Sequence, residues 1–278
     1  MVEPVERDTR GILRPAEALE RFHLERYQPS REVGRFVDRY WIASWSLSAG
    51  EQHEQEILVH PVVNVTFDEH GATTGGVYRK RFVQTLEGSG RVLGVMFRPA
   101  GFRPFLQRPM NSITDKPLAL ADVPGLDGAE LERDLATALR DDVADEKLIT
   151  LADDALAAQL PPTRQPSEDT TELAELIARD RSIRRVDELA DHAALSVRQL
   201  QRRFADHVGV SPKWLIRRYR LYDAAEQAAR TEDVDWAALA AELGYADQAH
   251  LVRDFADAVG ETPQRYASQA RSPNLSAG

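Results

Sequence analysis

The chain has 278 residues, a formal net charge of −10, 42% hydrophobic and 29% charged residues, and no cysteine. That composition is globular and excludes a fibrous or wholly disordered protein. The missing thiols remove disulfides, zinc fingers, thiol catalysis and cysteine redox sensing together. No apolar run approaches the ~20 residues of a spanning helix. The N-terminal MVEPVERDTRGILRP has no signal-peptide core, so a cytoplasmic protein with no membrane partner is expected.

At ~100–200 residues per domain, two domains are predicted. The first ~120 residues read mostly as strand. WIASWSL alternates, placing Trp41, Ala43, Trp45 and Leu47 on one face. VVNVTF (62–67) is β-branched, and GATTGG after it reads as a turn. RFVQTL and RVLGVMF flank Glu87-Gly88-Ser89-Gly90 and predict a hairpin. Short strands with Gly turns suggest a small barrel or sandwich.

Residues 129–160 change to helical spacing. Leu131, Leu135 and Leu139 form one stripe, and Leu148, Leu151 and Ala155 another. These helices suit either packing on the barrel or pairing with a second subunit. PPTRQPSED (161–169) reads as a linker, and everything after it as all-helical. The expected organisation is 1–160 as a β-rich sensing or dimerisation domain ending in amphipathic helices, 161–169 as linker, 170–268 as a second domain, and 269–278 as a disordered tail.

The second domain repeats itself. LQRRFADHVGVSP (200–212) and LVRDFADAVGETP (251–263) share eight of thirteen positions at an offset of 51. Upstream, LADHAALS (189–196) answers LAAELGYAD (239–247), with one extra residue in the second copy. Each copy reads as a short helix, a tight turn and a second helix N-capped by Ser196 or Asp247. The second helix buries Leu200 and Phe204, or Leu251 and Phe255, and stops at Gly209 or Gly260. Ser211-Pro212 and Thr262-Pro263 then open further helices. This is helix-turn-helix chemistry twice, and 212–230 would join the two units rigidly. Fixed tandem units reach successive major grooves about one turn apart.

The charge pattern agrees. Residues 181–220 hold ten Lys and Arg against four Asp and Glu, whereas 221–278 hold four against ten. A basic stretch inside an acidic chain is the footprint of a phosphate-facing surface.

On these motifs the chain resembles the AraC/XylS family of bacterial transcription regulators, with LAAELGYADQAHLVRDFADAVGETPQRY as the second unit. The resemblance covers roughly 170–268. It departs where many members carry Arg after the final Tyr, since Ala267 follows Tyr266 here. The N-terminal region is similar to an uncharacterised, cupin-like domain found ahead of such units. The fold class implied is α+β: an N-terminal small β-barrel or sandwich with flanking helices, then an all-α tandem helix-turn-helix.

On the first recognition helix, Arg198, Gln201 and Arg202 sit at i, i+3 and i+4, opposite Leu200 and Phe204. Arg grips guanine and Gln adenine, and the resemblance makes these positions the family's usual base readers. Their equivalents in the second unit are Ala249, Val252 and Arg253, of which only Arg253 donates hydrogen bonds. The first unit is therefore expected to supply most specificity. Ser196, Gln199, Arg203, Arg217, Arg218, Gln248 and His250 are the expected backbone contacts, with Arg220 as a further candidate. Asp254 and Asp257 are expected to repel phosphate.

His53, Glu54, Glu56 and His60 cluster, but His-x6-His with loose acids is a weak metal signal. No metal, cofactor or catalytic residue is assigned. Trp41, Trp45, Phe67, Tyr78 and Phe97 suit core packing more than a pocket. Arg98 and Arg103 bracket a Pro/Gly turn and suit structural pairing. The expected partners are double-stranded DNA, a small-molecule effector of unknown identity, and a second copy of the chain. The function expected is a DNA-binding regulator and not an enzyme. The competing reading is a metal-dependent β-barrel enzyme fused to a DNA-binding module.

Overall fold

A computed structural model describes residues 11–231 and 234–271. After helix α1 (Pro15–Arg21), the strands are β1 (His23–Tyr27), β2 (Val37–Ser46), β3 (Gln52–Ile57), β4 (Asn64–Asp68), β5 (Gly71–Gly75), β6 (Phe82–Glu87) and β7 (Ser89–Phe97). A short helix α2 (Arg103–Leu106) and a last strand β8 (Pro117–Leu118) follow. One antiparallel sheet has the order β1-β2-β7-β4-β5-β8, and β3 and β6 form a separate two-stranded ribbon. The α+β division expected from sequence holds, with a β-sheet region followed by helices. Among the described residues no helix is long and apolar enough to cross a membrane.

Three local expectations are corrected. GATTGG is not a turn, because Gly71–Gly75 is strand β5, paired with β4 and β8. The reversal is made one step earlier, where the Asp68 carboxylate accepts the His70 and Gly71 N–H groups at 2.7 and 3.0 Å. The side-chain turn leaves the glycine-rich segment free to extend. Next, β6 and β7 are not hairpin partners. The chain turns at Gly88, but β6 pairs with β3 while β7 pairs with β2 and β4. Burial separates them: Leu93, Val95 and Phe97 of β7 are core residues, while β6 is exposed at five of its six positions. Finally, the buried face of β2 is Tyr40 and Ile42, not the Trp41/Trp45 face. Those indoles lie over glycines instead. A Cβ on Gly94 would sit 1.8 Å from Trp41 Cε2, and the Trp41 Nε1–H donates to Asn64 Oδ1 at 3.1 Å.

Helices α3 (Gly128–Arg140) and α4 (Asp145–Ala157) pack on this domain's own sheet, the first of the two uses named for them. The α3 stripe Leu131, Leu135 and Leu139 is buried as expected. On α4 the buried stripe is Leu148, Ile149, Ala152 and Leu156, and Leu151 faces outward. Burying a Leu, Ile or Phe contributes ~1.5–3 kcal/mol, so the face richest in such residues turns inward. Phe97 meets Phe102 and Phe105 edge-on, at 4.9 and 5.8 Å. Phe67 and Phe97 are fully buried, as core aromatics.

The helical half contains α5 (Pro166–Arg179), α6 (Val186–His192), α7 (Val197–His207), α8 (Pro212–Arg230), α9 (Trp236–Glu242), α10 (Gln248–Val259) and α11 (Pro263–Arg271). The segment 166–169, expected as linker, is the first turn of α5, where Glu168 Oε1 accepts the Gln165 N–H at 2.7 Å. Arg35 fastens what precedes it. Its guanidinium donates to the carbonyls of Pro161 (3.3 Å) and Thr163 (3.0 Å) and pairs with Glu168 at 2.8 Å. At the other end, 269–271 continue α11 and are not tail. The rest of the expected disordered tail, 272–278, lies outside the described residues.

The N-terminal domain packs against both helical units. Val77 and Ala100 enter the core formed by α5–α8, while Leu13 and Leu58 enter the core of α8–α11. Polar bonds accompany each contact. Thr114 Oγ1 donates to the Gly209 carbonyl at 2.7 Å, and Arg103 pairs with Asp206 at 2.9 Å. The Tyr222 hydroxyl donates to the Leu58 carbonyl at 2.9 Å, beneath the stacked His60 ring. Arg98 pairs with Glu175 at 3.0 Å. The structural roles expected for Arg98 and Arg103 are therefore seen, with carboxylates of the helical half as partners.

Candidate nucleic-acid interface

The two repeats agree down to individual hydrogen bonds. In the first, the Ala193 and Leu195 N–H groups donate to Leu189 and Ala190. In the second, Leu243 and Tyr245 donate to Leu239 and Ala240. The residue between them turns left-handed in both, Gly244 with φ 79° and Ala194 with φ 50°. Glycine adopts that conformation freely and alanine does so under strain.

Each second helix is then started by a side-chain cap. Ser196 Oγ accepts the Gln199 N–H at 3.3 Å while Gln199 Oε1 accepts the Ser196 N–H at 2.9 Å. Asp247 Oδ1 accepts the His250 N–H at 2.7 Å. A reciprocal Ser/Gln cap satisfies two otherwise orphaned donors. Leu200 and Phe204, then Leu251 and Phe255, are fully buried, which fixes the rotation of α7 and α10.

That rotation leaves Arg198, Gln201 and Arg202 exposed together on α7. None of the three makes a hydrogen bond or ion pair with another described residue. On α10, Ala249 and Arg253 are exposed and Val252 is half-buried. Gln248 is exposed at the helix start.

The expected backbone contacts divide. Arg218 is corrected: it is only 4% exposed, its Nη2–H donates to the Arg79 carbonyl at 2.7 Å, and it stacks over Trp214 at 4.7 Å. Burial pulls its pKa down from the usual arginine range. Arg220, 1% exposed, is likewise structural, with Nη2 donating to the carbonyls of Asp180 and Ile183 at 2.9 and 3.0 Å. Arg217 is held by Asp254, Nε to Oδ2 at 2.8 Å. Asp254 is itself 8% exposed, so it anchors Arg217 rather than facing phosphate. His250 turns toward Asp254 (3.8 Å) and packs edge-on to Tyr245. Gln199 commits its carbonyl oxygen to the cap. Arg203 lines a cleft of about 560 Å³ with Asp169, Glu172, Arg179 and His192, a lining that does not include Arg198 or Arg202.

The basic run 79–81 is mostly spent on structure. Arg79 pairs with Asp115. Arg81 pairs with Glu56 and lies against Gly260 at the end of α10. His53 bonds Gln55 at 3.3 Å and His60 stacks on Tyr222. Among the described residues no group of three His, Asp or Glu side chains is arranged to hold a metal.

Residues 189–269 match the family described as a helix-turn-helix domain. They are a helix-turn-helix domain of the AraC type. Residues 25–119 match a domain of unknown function, DUF6597. The chain is similar to the HTH-type transcriptional regulator Rv1931c of Mycobacterium tuberculosis, 37% identical over 82 residues, covering 30% of this chain and 31% of the relative. It thus spans about a third of the length of the curated relative it matches. Among solved structures it is similar to the C-terminal domain of AraT, a response regulator from Geobacillus stearothermophilus. That likeness has 22% identity, covers 41% of this chain and 93% of that one, and has a TM-score of 0.35. ToxT from Vibrio cholerae O395 is similar at 14% identity, with 91% and 100% covered and a TM-score of 0.39. In this AraC-type domain Tyr266 packs edge-on to Phe255 at 5.6 Å and Ala267 is buried beside it. The position where many members carry Arg is thus filled by a core residue.

Proposed function

We propose that this chain is a sequence-specific DNA-binding transcription regulator acting in the cytoplasm without catalysis. Its first helix-turn-helix unit supplies most of the specificity. The observation that carries this reading is the free Arg198–Gln201–Arg202 face of α7, in a region where the neighbouring arginines 217, 218 and 220 are all tied to protein partners. A trio of unspent donors on a helix of this kind is chemistry suited to base edges in the major groove. The corresponding face of α10 offers one donor-bearing cation, Arg253, beside Ala249 and Val252. Backbone contact falls to Ser196 and Gln248 at the two helix starts and to the Nε2 of Gln199.

In this reading the N-terminal domain modulates binding through the spacing and orientation of the two units. Its support is the docking of Val77 and Ala100 on the first unit and of Leu13 and Leu58 on the second. An effector or self-association that shifts this docking changes the distance between α7 and α10.

The test is selection of duplexes from a random pool by the full-length protein at near-physiological salt. Enrichment of a motif spanning two successive grooves, with one strong and one degenerate half, is the expected result. Absence of enrichment, both by the full chain and by residues 166–278, overturns it.

A further inference from the structure

The cleft of about 560 Å³ lies between α5, the end of α6 and α7. Its volume falls in the ~300–1,000 Å³ range of small-molecule sites, and nothing in the DNA reading uses it. Leu173 and Leu176, one turn apart on α5, line it together with Ala193 at the end of α6. All three are half-buried. They offer apolar surface that a ligand with an apolar body would remove from water.

Charge selects the kind of ligand. Asp169 and Glu172 line the cleft, but Arg164 holds both, its Nη2–H groups donating to Asp169 Oδ1 at 2.8 Å and to Glu172 Oε1 at 2.7 Å. Three basic side chains also line it, one from each helix: Arg179 of α5, His192 of α6 and Arg203 of α7. None of the three side chains makes a hydrogen bond or ion pair with another described residue. Asp180, which interacts with His192 through its charge, accepts the Ser182 N–H at 2.8 Å. The acids of the cleft are spent, and the bases are not.

We infer that this cleft is a binding site for a small organic anion: a carboxylate, sulfonate or phosphate group carried on an apolar body. The body covers Leu173 and Leu176, and the acidic group takes guanidinium donors of Arg179 and Arg203, whose planar forks suit such oxygens. A bare phosphodiester backbone suits the cleft poorly, because it has no apolar body to lay on the leucines. The site belongs to the helical half, not to the β-rich domain from which sensing was expected.

Binding of the anion stands apart from the DNA reading, but its consequence rests on that reading. Arg203 follows Arg202 on α7, so an anion held there adds negative charge beside a helix that approaches phosphate. Ligand and duplex therefore oppose each other, and linkage requires each to weaken the other by the same factor.

The test uses the full chain without DNA and a matched pair of fluorescent probes. Anilinonaphthalene sulfonate supplies the anion, and N-phenylnaphthylamine keeps the apolar body without the sulfonate. One saturable site for the sulfonate is expected, with the neutral amine bound about tenfold more weakly. Arg179→Gln and Arg203→Gln are each expected to weaken the sulfonate roughly three- to tenfold. Lys147→Gln, which removes an exposed cation on α4, leaves it unchanged. Ala193→Phe fills the cleft and is expected to abolish the site, and the two glutamine variants carry the test if that protein does not fold. Sulfonate binding indifferent to both arginine substitutions overturns the inference, as does equal affinity for the neutral amine. It is also overturned if those substitutions leave the probe alone and only flatten the salt dependence of duplex binding, since the cations then serve as backbone contacts. Arginine-dependent probe binding in a chain that selects no duplex upholds the cleft and overturns the DNA reading, so the two fail separately.

Discussion

Arg217 on α8 reaches across to Asp254 on α10, Nε to Oδ2 at 2.8 Å, and joins the helix between the two repeats to the recognition helix of the second. The carboxylate is nearly buried while the guanidinium is half exposed. The hydrogen bonds to Asp254 are what push the Arg217 pKa upward.

This pair bears on binding without touching a base. Removing Arg217 leaves a buried carboxylate short of donors, which costs about 1–3 kcal/mol. Arg217→Ala is expected to lower the unfolding free energy by that order in a urea titration. It should also weaken binding to a two-groove duplex more than to a duplex carrying only the first half-site. Equal losses on both duplexes would show that Arg217 acts as a simple phosphate contact.

The asymmetry of the two recognition helices predicts an asymmetry in affinity. A good base-specific contact is worth about 1–3 kcal/mol of discrimination. Arg202→Ala is expected to reduce specific binding by roughly five- to 150-fold, and Arg253→Ala by less. Fluorescence anisotropy on the selected duplex measures both. If the two substitutions cost the same, the dominance of the first unit is refuted.

Ala194 and Gly244 occupy the same turn position, so their exchange should have opposite effects. A non-glycine residue in the left-handed region is strained by ~1–2 kcal/mol, partly offset by the unfolded-state entropy that glycine adds. Ala194→Gly is expected to raise stability by about 0.5–1 kcal/mol. Gly244→Ala lowers it by about 1 kcal/mol, with the new methyl also pressed against the Arg184 side chain. Thermal unfolding of the two variants checks the signs.

His207, in the last turn of α7, accounts for one pH dependence. Its Nδ1 lies 2.7 Å from Thr170 Oγ1, and burial lowers its pKa; Arg103 and Arg203 act in the same direction while Asp206 and Asp169 oppose them. The folded protein therefore prefers the neutral ring. Its stabilising contribution is complete above the unfolded pKa of about 6.5 and is lost as pH falls from there through the lower folded value. Unfolding free energy measured between pH 7.5 and pH 5 should fall less steeply in His207→Gln than in the parent, because that side chain does not titrate.

The Tyr222–Leu58 bond tests the docking of the N-terminal domain on the second unit. Tyr222→Phe strands a buried carbonyl and is expected to cost about 1 kcal/mol. Hydrogen exchange should rise at 58–60 and along α8 while remaining unchanged in α3 and α4. Uniform acceleration across the chain would show that this contact is not local to the interface.

The sequence alone determined the tandem repeat, its caps and the outward face of α7, because these rest on spacing within one helix. A Ser three residues before Gln199, and Leu200 four before Phe204, specify cap and rotation whatever surrounds them. The α3 stripe was legible for the same reason. What the sequence left undecided was partnership across distance. Alternation marks β6 and β7 as strands equally well, but only the competition for buried surface sends β7 into the main sheet and β6 to the ribbon. Arg217, Arg218 and Arg220 look alike on a basic helix. Only the packed structure shows Arg217 on a carboxylate 37 residues away, Arg218 under the Arg79 carbonyl and Arg220 capping the end of α5. Charge is a property of the residue, whereas availability to a ligand depends on which neighbours the tertiary fold brings within hydrogen-bonding reach.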